Sequence, residues 1–113
     1  MLKTRTYFLS LILFSCVAKQ QHFDIKSWNC VDGTYNHRDL MIEDLMNNFL
    51  HKGMSYNQVE NILGLPNENK FNSNIRYEIY YDMMSEETRY LKISFAKDST
   101  IMKYSRVIDK DGR

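Results

Sequence analysis

Two early segments of the chain repeat their apolar residues at helical spacing. In residues 36–52 the apolar residues follow one another at spacings of three, four and one positions, so they form one apolar face of a helix. Arg38 and Asp39 lie outside that face. Gly53 follows the segment and can end the helix as a C-cap in the left-handed backbone conformation. The segment predicts a first helix with these core positions: Leu40 or Met41, Leu45, Met46, Phe49 and Leu50.

The second helical segment, residues 55–63, carries signals for both of its ends. Ser55 can cap the helix, and Gln58 completes a capping box three residues later. Gly64 stands where the chain must turn with a positive φ, and Pro66 forbids further helix. We predict a short helix whose buried face consists of Val59, Ile62 and Leu63.

Three later segments alternate apolar and polar residues, as half-buried strands do. They are residues 75–81, 89–95 and 101–108, and the last has apolar residues on both faces, so its buried face stays open. The polar stretch 67–74 predicts a loop. Strands joined by short connections favour an antiparallel meander, with both helices on its apolar face. The predicted fold is a two-layer α+β domain in the order α-α-β-β-β.

The N-terminus is typical of a bacterial export signal. Lys3 and Arg5 precede an apolar stretch, residues 7–17, that is too short to span a bilayer. It ends in Leu-Phe-Ser-Cys16, which resembles the lipobox of a lipoprotein, so Cys16 is the predicted lipidation site. The alternative is a soluble export signal that is cut after Ala18.

These signals divide the chain into four parts. We predict a lipoprotein signal peptide (1–15), a lipidated N-terminus and linker (16–35), the α+β domain (36–108) and a polar tail (109–113). The linker is polar and predicts a flexible tether up to about Ser27. Position 17 is Val and not the Asp that retains lipoproteins at an inner membrane. We therefore expect a lipid anchor in the outer membrane, with the domain facing the periplasm.

Composition and charge narrow the possible partners and redox chemistry. A chain of 113 residues, 43% hydrophobic and 26% charged, suits one globular domain. Its net charge of +1 gives no reason to expect nucleic acid as a partner. Without Lys3 and Arg5, thirteen basic and fourteen acidic residues leave −1. Beside Cys16 the mature chain keeps Cys30, which we expect to be buried, with pairing between chains as the alternative.

No motif in the sequence predicts catalysis or metal binding. His22, His37, His51 and Cys30 lack the short paired spacings of a zinc site. The adjacent acids Glu43 and Asp44 point apart on a helix, and neither a phosphate loop nor a nucleophile motif is present. We expect no catalytic residue, no metal and no cofactor.

Five tyrosines fall on the three predicted strands, more than a small core can hold. Tyr80 and Tyr90 fall on the polar face, which they share with Arg76, Glu78 and Lys92. One interpretation is that Tyr80 and Tyr90 form cross-strand pairs, and the other is that they form an aromatic interaction patch.

A set of spaced residues marks the junction between the predicted helices and the sheet. They are Gly53-Met54-Ser55, Val59, Leu63-Gly64, Pro66 and the pattern Leu91-x-Ile93-x-Phe95. In these positions the chain resembles the SmpA/OmlA (BamE-like) family of small outer-membrane lipoproteins, over about residues 38–108. The resemblance implies the α-α-β-β-β fold, an outer-membrane lipid anchor and a protein-binding accessory role.

One segment departs from that family. The assembly factor of the family has a Tyr-Arg-Pro-Asp-type segment before its first helix, whereas this chain has Phe23-Asp24 and Trp28 there. The lead-in is similar to that of an uncharacterised branch. We therefore carry over no partner-binding residue from the family.

The sequence favours a non-enzymatic, lipid-anchored envelope protein that binds other envelope proteins, as an accessory factor in outer-membrane assembly or integrity. One alternative is an inhibitor-like module that blocks a periplasmic or secreted enzyme through its sheet. Another is a soluble, secreted ligand-binding domain. The sequence predicts no oligomeric state.

Overall fold

The computed structural model describes residues 20–31, 33–71 and 73–110. The predicted signal peptide and Cys16 lie outside the described residues. Within them the chain has the α+β architecture that the sequence predicts. The helical elements are α1 (Ile25–Asn29), a 3₁₀ turn (Asn36–Leu40), α2 (Ile42–Asp44), a π turn (Leu45–Phe49) and α3 (Tyr56–Leu63).

The described strands form one antiparallel sheet in the order β1-β2-β3-β4. The meander is confirmed, but the sheet has one strand more than the three predicted. The added strand, β1, lies in the predicted loop 67–74 and pairs with β2. All three of its residues are exposed, so its sequence has no apolar alternation to reveal it. The strands are β1 (Glu68–Lys70), β2 (Asn74–Asp82), β3 (Glu87–Phe95) and β4 (Ile101–Asp109).

The first predicted helix is not one regular helix. Its winding changes from 3₁₀ to α to π between residues 36 and 49. In the π turn the N–H of Leu50 donates to the carbonyl of Leu45 at 2.9 Å, a span of five residues. The wider turn places Leu50 in the core and leaves Phe49 41% exposed. The apolar pattern of the sequence predicts both residues on the buried face, which is wrong for Phe49.

Helix α3 has the caps that its sequence specifies. The N–H of Gln58 donates to Ser55 Oγ at 3.1 Å, and the N–H of Ser55 donates to Gln58 Oε1 at 2.9 Å. At the other end the N–H of Gly64 donates to the carbonyl of Glu60 at 2.8 Å. Gly64 has φ +81 and ψ −166, a conformation that essentially only glycine adopts. Pro66 lies two residues beyond this cap.

The segment predicted as a linker packs on the domain. The expectation of a flexible tether to Ser27 is wrong for its described part, residues 20–27, because Phe23 is only 7% exposed. Trp28, in α1, is fully buried, and its ring is 6.1 Å from the ring of Tyr77 in an edge contact. One or two aromatic residues in a polar stretch produce no periodic signal, so the pattern of the sequence does not reveal their burial.

The core lies between the helical layer and one face of the sheet. Tyr104 settles which face of β4 is covered, because its hydroxyl donates to the carbonyls of Met46 and Leu50, at 3.0 Å each. Cys30, which we expected to be buried, is exposed, since Trp28 occupies the core position of α1. The fully buried large side chains are Trp28, Tyr77, Met41, Ile42, Leu45, Leu63, Ile75, Ile79, Leu91, Ile93 and Val59.

Candidate functional site: the uncovered face of the sheet

One face of the sheet carries no covering element from the described part of the chain. Along β2 the fully buried Ile75 and Tyr77 alternate with the half-buried Arg76 and Glu78. Since successive side chains of a strand point to opposite faces, Arg76 and Glu78 lie on the face away from the helices. We call this the uncovered face.

The strand register places four basic residues together at one end of this face. Arg76 is directly opposite Lys92, in a row that runs from Glu68 to Ser105 across all four strands. The next row runs Lys70, Asn74, Ser94, Lys103. We call Lys70, Arg76, Lys92 and Lys103 the basic half.

The other end of the uncovered face has the opposite charge. Glu78 is opposite Tyr90, which is in turn opposite Val107, and Thr88 pairs with Asp109 in the last row. Burial raises the pKa of the Glu78 carboxyl, while Arg38 acts to lower it. The uncovered face therefore has a basic half and, at its other end, an acidic half that contains Glu78 and Asp109.

The charges of the basic half are only partly compensated. Glu68 is shared by two of the cations, with Oε1 3.7 Å from Arg76 Nε and Oε2 3.9 Å from Lys70 Nζ. Among the described residues, no carboxylate lies within ion-pair distance of Lys92 or Lys103. An open depression of about 190 Å³ lies over this half of the face, lined by Glu68, Lys70, Asn74, Arg76 and Lys92.

Tyr90 holds Arg76 in place on the uncovered face. The guanidinium carbon of Arg76 lies 4.9 Å from the centroid of the Tyr90 ring, within cation–π range. Burial raises the pKa of the Tyr90 phenol, and the negative charge of Glu78 raises it further. The ring is therefore a neutral stacking surface that restricts the orientation of the Arg76 side chain.

The structure does not bring Tyr80 and Tyr90 together. A β-bulge between Glu78 and Tyr80 shifts the register, so that Tyr80 is opposite Arg89 and not on the uncovered face. The Arg89 guanidinium lies 4.1 Å from the Tyr80 ring and binds Asp39 on the helical side. The prediction of one polar face for both tyrosines is corrected: each stacks with an arginine on its own side of the sheet.

Two charged residues that the sequence placed off the buried face are buried. The Arg38 guanidinium lies between the rings of Trp28 and Tyr35, 4.6 Å and 4.5 Å from their centroids. Arg38 Nε donates to the carbonyl of Trp28 at 3.0 Å, and Nη1 donates to that of Glu78 at 3.4 Å. Burial lowers the pKa of Arg38. The stack fastens α1 to the 3₁₀ turn and β2.

Asp39 joins the helical layer to β3 and β4. Its carboxylate accepts from Arg89 Nη1 at 2.5 Å and from Arg106 Nε at 3.0 Å. Arg89 also binds Glu87. Because these groups neutralise one another, the cluster is a structural brace. The sequence offered no signal for it, since its members are separated by up to 67 positions.

The remaining sequence candidates are dispersed over the described structure. His22 Nδ1 lies 3.8 Å from Asp44, and His51 is exposed. His37 Nε2 is buried and has no hydrogen-bond partner among the described residues. Within residues 20–31, 33–71 and 73–110, no cluster of three or more His, Cys, Asp or Glu side chains could hold a metal ion. None of the helices described there is long and apolar enough to cross a membrane.

Comparison with known proteins finds no match for the chain. No family model, no curated protein and no solved structure matches the chain. The resemblance to the SmpA/OmlA family therefore stays a prediction from the spacing of a few residues, and function must be argued from the site itself.

Proposed function

We propose that the chain is a non-enzymatic lipoprotein of the bacterial outer membrane that binds other envelope proteins through its uncovered face. The lipobox-like sequence at Cys16 supports the anchor. The resemblance to small outer-membrane lipoproteins supports an accessory role in assembly or integrity of that membrane. The domain faces the periplasm in this proposal.

The observation that carries the proposal is a sheet face whose side chains are ordered but uncovered. Arg76 is stacked on Tyr90 and only 32% exposed, so little side-chain entropy is left to lose when a partner binds. Arginine and tyrosine are enriched in protein interfaces and among the residues that dominate their energy. A four-stranded sheet also presents them on a rigid surface.

The length of chain between the anchor and the domain limits where a partner can be. Seven residue steps separate Cys16 from Phe23, the first core residue of the described chain. Fully extended they span about 25 Å. Two or three acyl chains hold a protein on the bilayer, whereas one gives only marginal binding. In this proposal a protein bound to the uncovered face therefore lies close to the membrane.

The anchor is tested by Cys16→Ala in the full chain, expressed in bacteria and followed by membrane fractionation. We expect the wild type in the outer-membrane fraction and the variant among the soluble periplasmic proteins. Cys30→Ala is the matched control and should fractionate like the wild type, because Cys30 lies in the domain. Membrane retention of Cys16→Ala would contradict a lipid anchor.

The binding surface is tested by a photo-crosslinking amino acid placed at Ser105, which is exposed on the uncovered face. Asn57, exposed on α3, is the control position. We expect irradiation of intact cells to give one discrete adduct with an envelope protein from position 105 and none from 57. Equal products from both positions, or none from 105, would reject the uncovered face. A hydrolase in the adduct would favour an inhibitor-like module instead.

A further inference from the structure

We propose that the basic half of the uncovered face binds an extended acidic segment of a partner protein, with carboxylates at alternate positions. The inference rests on the proposed protein-binding function and adds the chemistry of the partner. Its site consists of Lys70, Arg76, Lys92 and Lys103, the residues already defined as the basic half.

The charge of the basic half is only partly compensated within the domain. Arg76 and Lys92 face each other directly across β2 and β3, and like charges in that position destabilise a sheet. The Glu68 carboxylate lies within 4 Å of Lys70 and Arg76, and its own side chain is 44% exposed. An arrangement that is unfavourable for the isolated domain becomes favourable once an anionic group lies between Arg76 and Lys92.

The basic half extends across all four strands of the sheet. Neighbouring strands lie about 4.8 Å apart, so Lys70 in β1 and Lys103 in β4 are about 14 Å apart, three strand spacings. One carboxylate or phosphate group can contact Arg76 and Lys92 but cannot span that distance. In an extended peptide, side chains on one side repeat about every 6.7 Å. Acidic residues at positions i, i+2 and i+4 therefore span about 13 Å, close to the distance from Lys70 to Lys103 across the four strands.

The acidic half of the uncovered face disfavours binding to a flat anionic surface. A bilayer pressed against the sheet would meet Glu78 and Asp109 as well as the cations, and the like charges would repel it. A peptide is narrow enough to lie along the basic half alone. This geometry favours an acidic segment of a protein over an anionic membrane.

Pre-organisation distinguishes Arg76 from an ordinary surface cation. Its guanidinium is held over Tyr90 while Nε faces Glu68, which leaves the remaining N–H groups to bind a carboxylate as a fork. Beside it, Ser94 Oγ donates to Asn74 Oδ1 at 2.8 Å, so the polar floor of the depression is also fixed. We expect Arg76 and Lys92 to contribute most to the affinity.

The experiment uses the full lipidated chain in a non-ionic detergent and measures fluorescence anisotropy of labelled peptides. The probe is an octapeptide of alternating Glu and Ser, and the control replaces Glu with Gln. We expect the Glu peptide to bind, with an affinity that falls about tenfold as added salt shortens the screening length, and the Gln peptide not to bind. Arg76→Gln and Lys92→Gln should each weaken binding about three- to fivefold. Lys52→Gln, at an exposed lysine in the turn before α3, should leave it unchanged.

Several outcomes would overturn the inference. Equal affinity for the Glu and Gln peptides, or unchanged binding by Lys92→Gln, would show that binding does not depend on the charge of the basic half. Lys92→Gln also guards against misfolding, because removing a like-charge contact should not lower stability. Capture by phosphatidylglycerol vesicles without peptide binding would indicate a membrane surface, and a salt-sensitive dimer in sedimentation would indicate a second copy. If the Ser105 adduct persists in the Arg76→Gln, Lys92→Gln double variant, the proposed function stands and this inference fails.

Discussion

The indole N–H of Trp28 donates to the carbonyl of Leu63 at 3.1 Å, which joins α1 to the last turn of α3. Trp28 is fully buried, and its ring lies under the Arg38 guanidinium. Leu63 has no helical N–H partner for its carbonyl at the end of α3, so the indole satisfies an otherwise orphaned group. Through this bond, a segment outside the predicted domain closes the core.

Replacing Trp28 should show that the folded unit begins before residue 36. We expect Trp28→Ala to lower the free energy of unfolding by about 3–5 kcal/mol, the usual cost of emptying a large aromatic site. Trp28→Phe should lose about 1–3 kcal/mol, because the Leu63 carbonyl is left buried without its donor. Urea denaturation followed by far-UV circular dichroism measures both.

The control for Trp28 is Ile25→Ala in the same short helix, where the side chain is 48% exposed. It should cost less than about 1 kcal/mol. If Trp28→Ala cost no more than Ile25→Ala, α1 would be an appendage and the domain would begin where the sequence placed it.

Two glycines with positive φ offer a matched pair of substitutions. A Cβ on Gly64 would lie 2.8 Å from Asn29 Oδ1, whereas a Cβ on Gly53 would meet no atom within 4 Å. Gly64 also has the backbone conformation that essentially only glycine adopts. We expect Gly53→Ala to cost about 1–2 kcal/mol and Gly64→Ala about 2–4 kcal/mol in urea denaturation.

The strain at Gly64 can be separated from its clash with Asn29. In an Asn29→Ala background the steric contact is gone, so Gly64→Ala should regain part of its lost stability and keep the cost of the backbone conformation. Full recovery would mean that the backbone is not strained, and no recovery would mean that Asn29 moves away without cost.

Cys30 should react readily, contrary to what the sequence led us to expect. Because its side chain is exposed, a thiol reagent should modify it in the native protein nearly as fast as in urea. Cys30→Ser in a Cys16→Ser background should abolish the reaction, and Cys16→Ser alone should retain it. Protection of Cys30 until the protein unfolds would contradict the exposed position. The absorbance of the chromophore that the reagent releases gives the rates of Cys30 modification.

The parts of the fold that the sequence could predict are those whose signals are local. Ser55, Gln58 and Gly64 specify both ends of α3 within ten residues, and their roles depend on hydrogen bonds between near neighbours. The alternation in β2 and β3 is equally local. A π turn at Leu45 or a bulge at Tyr80 shifts every later side chain by one position, and only the packing around it selects that shift.

The sequence predicts which residues belong to the candidate site but not how they are arranged. The alternation of β2 and β3 predicts Arg76, Lys92 and Tyr90 on one polar face. That Arg76 stands directly opposite Lys92, and that β1 brings Lys70 beside them, depends on strand register, which the polar sequence of residues 67–74 does not encode. Buried charges such as Arg38 are invisible to a hydrophobic pattern, since their partners are carbonyls and distant carboxylates.

A carboxylate fastens the N-terminal segment to the broken helix and makes its attachment depend on pH. Asp44 accepts from the N–H of Phe23 at 2.7 Å and from Asn48 Nδ2 at 2.6 Å. These bonds, first the one from the Phe23 N–H, lower the pKa of Asp44 below its ordinary value of 3.8. Since the pKa is lower in the folded state, the ionised form stabilises the fold at neutral pH, and that contribution is lost as the pH falls below about 4 through the folded-state pKa.

We expect Asp44→Asn to be less stable than the wild type at pH 7, and the difference to shrink as the pH is lowered from about 4 to 2.5 and the Asp44 carboxylate takes up a proton. Glu43→Gln, at the neighbouring exposed acid, is the control and should show no such convergence. Urea denaturation across the pH series measures the difference, and hydrogen exchange at the Phe23 amide localises it. A difference that stays constant from pH 7 to 2.5 would show that the tie to Phe23 does not depend on the charge of Asp44.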